Sequence, residues 1–333
     1  MKKIDTYQKD GILVSVCCIC YNQSSYIEKA IKSFLMQKTN FSYEIIINDD
    51  CSTDGTIDII KKYAQLYPSI IRPIFHNQNQ YSRGIDIFYN NCILNAKGLY
   101  IAICEGDDYW IDPFKLQKQV DIFKKYPTLS YCFTNRVIYY EASQSTRLVI
   151  NRNKKYNLFD FISGFNPGMQ SVMFSISNYK NNYNNEIAKC INGDRSIPFF
   201  CLQNGGIAMN LDSFSAVYRV SCHGVSTSRF MEYSSKDWFV YSTNDFHKYH
   251  ETIGFPSLLA YQKGMGKYLY NYFKESKKFS ISTIWRQVTR NYHTNKAVAF
   301  ALTIMFAISN IILALYNKIQ VLKYKICHKV PEL

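Results

Sequence analysis

The turn that follows the first apolar segment of this chain contains no glycine. The segment Ile12–Cys20 is predicted to be a buried strand, and the residues CYNQSSY run on from its end. Dinucleotide-binding proteins of the α/β class need glycines there, because their backbone must approach a pyrophosphate closely. The absence disfavours nicotinamide and flavin enzymes. It also disfavours a nucleotidyltransferase, which usually carries a glycine-rich, basic phosphate loop near its first strand and remains only as an alternative.

Signals for zinc binding and secretion are lacking as well. Cys17 and Cys20 have C-x-x-C spacing, but no second cysteine pair lies nearby to complete a zinc site. The eleven cysteines fall mostly in apolar runs, as is typical of buried free thiols in a reducing cytosol. The two lysines at the N-terminus precede no apolar stretch, so no signal peptide is expected.

Acidic residues are few relative to basic ones. The 333 residues include 39 Lys and Arg against 25 Asp and Glu, a formal net charge of +14, and the basic residues crowd the last third. Nucleic acid and anionic membranes both attract such charge. The aromatic residues show no ribonucleoprotein signature, so the sequence favours a membrane surface as partner and no nucleic acid.

Apolar runs alternate with helical patterns from Ile12 to Tyr126. Predicted strands are Ile12–Cys20, Tyr43–Asn48, Ile70–Phe75 and the run that begins at Leu99. Ser25-x-x-Glu28 has the form of a capping box for the first helix. Strict alternation predicts an α/β fold with a doubly wound, mostly parallel sheet. From about Leu129 the alternation stops; later strands are predicted at Ser130–Tyr140, Ala208–Leu211 and Phe214–Val220, and the final third is helical.

The stretch LYIAICEGDDYW, Leu99–Trp110, is an apolar strand that ends at three acids. In open α/β sheets, ligands bind outside the carboxyl ends of the strands. Glu105, Asp107 and Asp108 have no basic neighbours, and clustered carboxylates repel one another unless a cation is present. The loop therefore predicts a Mg²⁺ or Mn²⁺ site whose remaining ligands are phosphate oxygens of a nucleotide-linked substrate. The alternative is a solvated acidic loop.

A second acidic loop, Asp49–Gly55, follows the second predicted strand. Asp50 can accept a hydrogen bond from a uracil N–H, and Tyr21, at the end of the first strand, can stack on the base. The alternative is a turn in which Ser52 or Asp54 only caps the next helix.

Taken in order, these residues resemble glycosyltransferase family 2, whose members have the GT-A fold. The resemblance lies in VSVCCICYN (Val14–Asn22), IIINDDCSTDGT (Ile45–Thr56), AKGLYI (Ala96–Ile101) and EGDDYW (Glu105–Trp110). EGDDYW followed by DPFKLQKQV is similar to bacterial members that build surface polysaccharides. The resemblance implies an inverting transfer of a sugar from a nucleotide diphosphate donor, with UDP as the expected nucleotide.

The resemblance also implies roles for the residues of both loops. Asp50 contacts the nucleobase with Tyr21 beside it, while Asp107 and Asp108 serve the ribose and the metal ion. Glu105 stands where many members have Asp, which leaves open which carboxylate ligates the ion.

A general base must come from a later segment, because inversion by single displacement needs a base opposite the leaving diphosphate. Asp194, in INGDRS, is the candidate, although Arg195 stands where family members often have tryptophan. The alternative is that Asp194 caps a helix. Glu186 and Asp212 are lesser candidates for the base.

The segment VYRVSCHGVS, Val217–Ser226, resembles the family's tyrosine–arginine segment with a following histidine. Arg219 is a candidate for donor binding, with a structural ion pair as the alternative, and His223 is a candidate metal ligand. The Q-x-x-R-W motif of processive members is missing, so one sugar per encounter is expected.

The stretch Ala297–Tyr316 contains 20 residues without a charge. It is long enough to span a bilayer, but basic residues on both sides slightly favour a helix lying in the membrane plane. The predicted organisation is a GT-A domain over residues 1–230, a helical basic extension over 231–296 and a membrane-associating segment with a basic tail over 297–333. The expected location is the cytoplasmic face of the cell membrane, where a nucleotide-sugar donor meets a lipid-linked or oligosaccharide acceptor. A non-catalytic, sugar-nucleotide-binding relative is the second alternative function.

Overall fold

A computed structural model describes residues 11–190, 193–221, 235–253, 258–275, 281–289 and 296–327. The chain forms two compact units. The first contains the chain up to Asn157 together with Pro167–Arg219, and the second contains Leu158–Asn166 together with the chain from Val220 onward. The predicted boundaries at residues 230 and 296 stay a prediction.

The strands of the first unit belong to one sheet. They are β1 (Ile12–Cys20), β2 (Ser42–Asp49), β3 (Ile71–Phe75), β4 (Tyr100–Ile103), β5 (Tyr109–Trp110), β6 (Leu129–Tyr140), β7 (Ser145–Val149), β8 (Lys155–Tyr156), β9 (Met173–Ser175) and β10 (Ile207–Val220). The helices of this unit are α1 (Ile27–Leu35), α2 (Thr56–Leu66), α3 (Lys115–Lys125), α5 (Ile176–Asn182), α6 (Asn185–Cys190) and α7 (Gly193–Leu202), while α4 (Leu158–Ile162) belongs to the second unit. A π-helical turn spans Phe88–Ile93, inside the stretch of about Ile85–Asn95 for which the sequence predicts a longer helix.

The first half of the sheet is parallel, as the alternation predicts. β3, β2, β1 and β4 are neighbours in this order, and β1 pairs with both β2 and β4. The apolar residues of β1 and β2 are buried on both faces of the sheet because helices cover them. The carboxyl ends of these strands therefore meet at one edge.

The second half of the sheet is antiparallel, so the prediction of a mostly parallel sheet is wrong there. β9 pairs antiparallel with β4 and with β6, β7 pairs antiparallel with β6, and β5 and β8 pair antiparallel with β10. Parallel neighbours need long crossover connections, and these strands lack the regular helical crossovers of the first half. The strands predicted at Ala208–Leu211 and Phe214–Val220 are one continuous strand, β10.

A buried polar network closes the opposite edge of the parallel half. The Glu44 carboxylate accepts hydrogen bonds from the Ser15 hydroxyl (2.7 Å) and the Lys97 backbone N–H (2.7 Å), and it pairs with Arg72 (2.5 Å). Gly98 approaches β1 so closely that a Cβ atom there would lie 2.5 Å from the Ser15 backbone nitrogen. This contact requires glycine because the obstructing atoms are backbone atoms.

The second unit is helical in its C-terminal part. Its helices are α8 (Ser235–Thr252), α9 (Leu258–Glu275), α10 (Ile281–Thr289) and α11 (Lys296–Cys327). His247 and His250 are buried; His247 bonds to the Tyr261 hydroxyl, and His250 Nε2 lies 2.9 Å from the Ile162 carbonyl oxygen. Among the residues whose side chains are described, no helical stretch is long and apolar enough to cross a membrane.

Candidate active site

Three of the predicted groups of site residues follow the carboxyl ends of three parallel strands and lie at one edge of the sheet. Tyr21 follows β1, Asp50 follows β2, and the acidic loop, defined here as Glu105–Asp108, follows β4. Backbone hydrogen bonds hold these ends together: the Asp50 N–H donates to the Cys20 carbonyl, and the Gly106 N–H donates to the Ile19 carbonyl, both at 3.0 Å. The end of β1 is thus fixed between the other two loops.

Asp50 is buried and already accepts two backbone hydrogen bonds. Its Oδ1 accepts from the Gln80 N–H at 2.7 Å and its Oδ2 accepts from the Tyr81 N–H at 3.0 Å. The loop after β3 is therefore tied to the carboxylate through its main chain. Tyr21 and Tyr81 are 49% and 66% exposed, so both residues present aromatic surface to the solvent.

Asp49 and Asp54 organise the turn between β2 and α2. Asp49 accepts from the Ser52 N–H at 2.9 Å and from the Ser52 hydroxyl. Asp54 accepts from the Thr56 N–H (3.1 Å) and the Ser24 N–H (2.9 Å), and these hydrogen bonds lower its pKa to about 2 although burial opposes them. Asp54 therefore has a structural role in the turn before α2.

The acidic loop brings three carboxylates together. Ligand oxygens of Glu105, Asp107 and Asp108 lie within 4.8 Å of one another; Glu105 is exposed, Asp107 half-buried and Asp108 buried. Gly106 allows the acidic loop to pack closely against the end of β1, because a Cβ atom there would lie 2.8 Å from Cys20 Cβ. This oxygen-only donor set fits a hard divalent cation such as Mg²⁺ or Mn²⁺.

The surroundings disfavour negative charge on the acidic loop. Although part of the Glu105 side chain is exposed, the loss of water around its carboxyl group, then the charges of Asp107 and Asp194, raise the pKa of Glu105 to about 7. Burial and the charges of Asp107 and Glu105 raise the pKa of Asp108 well above its usual range, and burial raises the pKa of Asp107. Neighbouring negative charges oppose the ionisation of these carboxyl groups, and a bound cation favours it. A cation bound at the acidic loop would therefore stabilise the ionised carboxylates.

Arg219 lies against the acidic loop from the end of β10. Its backbone N–H donates to Asp108 Oδ1 (2.8 Å), and its Nε donates to the Asp107 carbonyl (3.0 Å). Its guanidinium lies 3.5 Å from the Glu141 carboxylate, so the alternative of a structural ion pair is confirmed. Donor binding by Arg219 stays a prediction.

Asp194 lies in the first turn of α7, half-buried. It is close enough to Glu105 for its charge to raise the pKa of that carboxyl group. The structure therefore brings the base candidate toward the acidic loop, although 89 positions separate the two in sequence. The helix begins at Gly193, so Asp194 lies inside its first turn.

Sequence reasoning missed Arg136, in the middle of β6. Burial lowers its pKa to about 10, and the charges of Asp108 and Asp194 act in the opposite direction. Its guanidinium occupies the space beside Gly168, where a Cβ atom would lie 2.1 Å from one guanidinium nitrogen. The only local signal was an arginine inside an otherwise uncharged strand.

The other candidates lie elsewhere. Asp212 is exposed and accepts from the Asn135 amide at 2.8 Å, and Glu186 is exposed on α6. His223, the predicted metal ligand, lies outside the described residues.

Comparison with known proteins decides the family. The family model described as Glycosyl transferase family 2 matches residues 15–180. WfaP of Escherichia coli, a UDP-Glc:alpha-D-GlcNAc-diphosphoundecaprenol beta-1,3-glucosyltransferase, is 30% identical over 220 residues, 66% of this chain and 82% of that protein. This chain belongs to glycosyltransferase family 2. The resemblance inferred from the motifs is confirmed.

Other relatives of this family 2 member share a smaller part or only the fold. An uncharacterized protein of Mycobacterium tuberculosis is 42% identical over 134 residues, 40% of this chain; the match spans only 38% of that relative. The crystal structure of S. aureus TarS 1–349 in complex with UDP-GlcNAc has a TM-score of 0.57 at 15% identity, covering 84% of this chain and 80% of that one. This likeness supports a GT-A-like fold.

Proposed function

We propose that this protein is an inverting glycosyltransferase that moves one sugar from a nucleotide diphosphate donor to an acceptor hydroxyl in surface polysaccharide synthesis. The observation that carries the proposal is the cluster of Glu105, Asp107 and Asp108 at the end of β4, beside Asp50 and Tyr21. Membership of family 2 supports it and does not favour the nucleotidyltransferase or the non-catalytic relative.

The donor occupies the edge where the strands end. Tyr21 stacks on the nucleobase, and Asp50 accepts a base N–H through lone pairs that the loop after β3 leaves available. Asp107 and Asp108, with His223 as a further proposed ligand, would hold Mg²⁺ or Mn²⁺. A divalent cation bound there offsets the negative charge of the leaving diphosphate. Arg136 adds positive charge near Asp108.

Asp194 acts as the general base. The acceptor oxygen attacks the anomeric carbon while the bond from that carbon to the diphosphate oxygen breaks, and the acceptor proton passes to the Asp194 carboxylate. The charge coupling between Asp194 and Glu105 supports this role, because the base must lie near the donor sugar. The anomeric configuration inverts because the attack takes place opposite the leaving group.

The acceptor is a lipid-linked saccharide at the cytoplasmic membrane face. WfaP is named for an acceptor linked to diphosphoundecaprenol, which supports this class of acceptor. On α11, Met305, Ile308 and Ile312 share a helical face and are 53%, 53% and 66% exposed. In sequence, residues 276–333 contain nine Lys and Arg against one Glu, and an apolar helical face within so basic a segment suits in-plane binding to anionic lipid.

A donor screen tests the proposal. Purified protein with Mn²⁺ is given a panel of UDP-, GDP- and dTDP-sugars, and release of the nucleoside diphosphate is measured. Asp107→Asn and Asp108→Asn should abolish release, and Asp194→Asn should lower transfer about 10²–10⁴-fold with little change in donor affinity. Asp58→Asn, an exposed acid on α2, is the control. Full activity after treatment with EDTA would refute the metal role, and normal turnover of Asp194→Asn would refute the base.

A further inference from the structure

The acidic loop is held from outside by a set of residues that the motifs do not include. β10 pairs antiparallel with β5, with Ala216 opposite Trp110 and Val217 opposite Tyr109. Two residues further along, β10 reaches the acidic loop itself. This register explains why Arg219 contacts both Asp107 and Asp108 through its backbone N–H and its Nε.

The far end of the Arg219 side chain is fixed in turn. The Arg219 side chain is only 9% exposed, and its guanidinium lies 3.5 Å from Glu141 Oε1. The Tyr26 hydroxyl donates to Glu141 Oε2 at 2.9 Å. The guanidinium carbon also lies 4.7 Å from the Tyr26 ring centroid and 5.5 Å from that of Tyr139. An arginine held by a carboxylate and by aromatic faces has little freedom to change rotamer.

We propose that Glu141 and Tyr26 are positioning residues for the metal site. They lock the Arg219 side chain, and Arg219 holds Asp107 and Asp108 in the geometry that a divalent cation requires. This inference rests on the metal role proposed above for the acidic loop.

The need for such support follows from the charges of the acidic loop. Three carboxylates whose ligand oxygens lie within 4.8 Å of one another repel one another when they are ionised. A loop under this repulsion spreads apart unless contacts from neighbouring elements restrain it. Glu141 pairs with the Arg219 guanidinium and the Tyr26 ring packs against it, so both residues act on the acidic loop through Arg219.

Metal affinity measured without sugar nucleotide tests the inference. Mn²⁺ is titrated into the full-length protein and followed by isothermal titration calorimetry. Glu141→Gln keeps the shape of the side chain but removes its charge, and it should weaken Mn²⁺ binding about 10-fold or more, as loss of a residue that orients a ligand typically does. Tyr26→Phe keeps the ring and loses the hydroxyl, so a smaller loss of the same kind is expected. Glu251→Gln, an exposed glutamate on α8, is the matched control and should bind Mn²⁺ like the wild type.

The outcomes separate this inference from the proposed function. Thermal unfolding shows whether each variant is folded, and Tyr26→Phe keeps the test open if Glu141→Gln does not fold. Folded variants that bind Mn²⁺ as tightly as the wild type would overturn the inference. A wild-type protein that binds no Mn²⁺ would overturn it too, while the donor screen would still decide whether the protein is a glycosyltransferase.

Discussion

Lys115, at the start of α3, is fully buried and should make the stability of the protein depend on pH in a distinctive way. Its ammonium group donates to Gln119 Oε1 at 2.7 Å and lies 4.4 Å from the Trp110 ring centroid. No carboxylate pairs with it among the described ion pairs. Burial lowers the pKa of Lys115 from 10.5 to about 8, although the charges of Cys132, Cys104 and Asp112 act in the opposite direction.

The pKa of Lys115 sets both the size and the sign of the effect. Since one pKa unit corresponds to about 1.4 kcal/mol, charged Lys115 costs the folded state about 3 kcal/mol relative to the unfolded chain. That cost is fully present below pH 8, where both states are protonated. It disappears between pH 8 and 10.5, because the folded state releases its proton first and the unfolded state then binds more protons. The free energy of unfolding therefore rises with pH in this range.

Lys115→Met removes the titrating group and keeps most of the packing. The substitution also leaves Gln119 Oε1 without its donor, at a cost of about 1–3 kcal/mol, so a comparison at one pH mixes two effects. The pH dependence of the difference in unfolding free energy between the two proteins reports the charge alone. From pH 7.5 to 10, the free energy of unfolding of the wild type should rise by about 2 kcal/mol relative to that of Lys115→Met. Urea unfolding followed by far-ultraviolet circular dichroism measures it, with the exposed Lys124→Met on the same helix as control. A difference that does not change with pH would refute the reasoning.

Two further predictions concern the sheet and the membrane. Gly98→Ala should lower the free energy of unfolding by about 2–3 kcal/mol, because the new methyl group meets backbone atoms of β1. Gly193→Ala is the control, since its methyl group makes only an ordinary contact. Equal urea midpoints for the two variants would contradict this prediction. Replacing Met305, Ile308 and Ile312 together by Ser should release the protein from vesicles that contain anionic lipid, measured by cosedimentation at physiological salt. Wild-type protein that never cosediments would exclude the membrane surface.

The parallel half of the sheet could be predicted because its determinants are local. β1 has the predicted bounds, Ile12–Cys20, since an apolar run of this length between polar turns has few other structures available. The positions of Asp50 and the acidic loop then follow from strand direction alone. In parallel strands joined by crossovers, the carboxyl ends share one edge.

The capping box predicted at Ser25-x-x-Glu28 is wrong, because tertiary contacts replace it. α1 begins at Ile27 with no side-chain cap, and the Gln23 carbonyl accepts from the N–H groups of Tyr26 and Ile27 at 2.9 Å. The Ser24 N–H donates to Asp54, so the turn before α1 is held by the loop after β2. Glu28 pairs with Lys32 instead.

The antiparallel half and its contribution to the site could not be predicted from local patterns. Arg219 and Asp108 are 111 positions apart, and their hydrogen bond depends on the register between β10 and β5. Arg136 carries no motif and becomes a candidate only when β6 is placed beside the acidic loop. Asp194 could be predicted through a family motif. Its electrostatic interaction with Glu105 could not be predicted, because it depends on the fold.

The hydrogen bonds that Asp50 accepts from Gln80 and Tyr81 bear on how base recognition can be studied in this enzyme. Asp50→Asn places an amide N–H₂ against one of two backbone donors, so it loosens the loop after β3 as well as altering any contact with a base. Loss of activity in that variant would thus report two events at once. The informative change is on the other molecule: a donor methylated at N3 of uracil lacks the N–H but leaves the loop anchored. Discrimination against this donor reports how the base edge fits against Asp50 without any change in the protein.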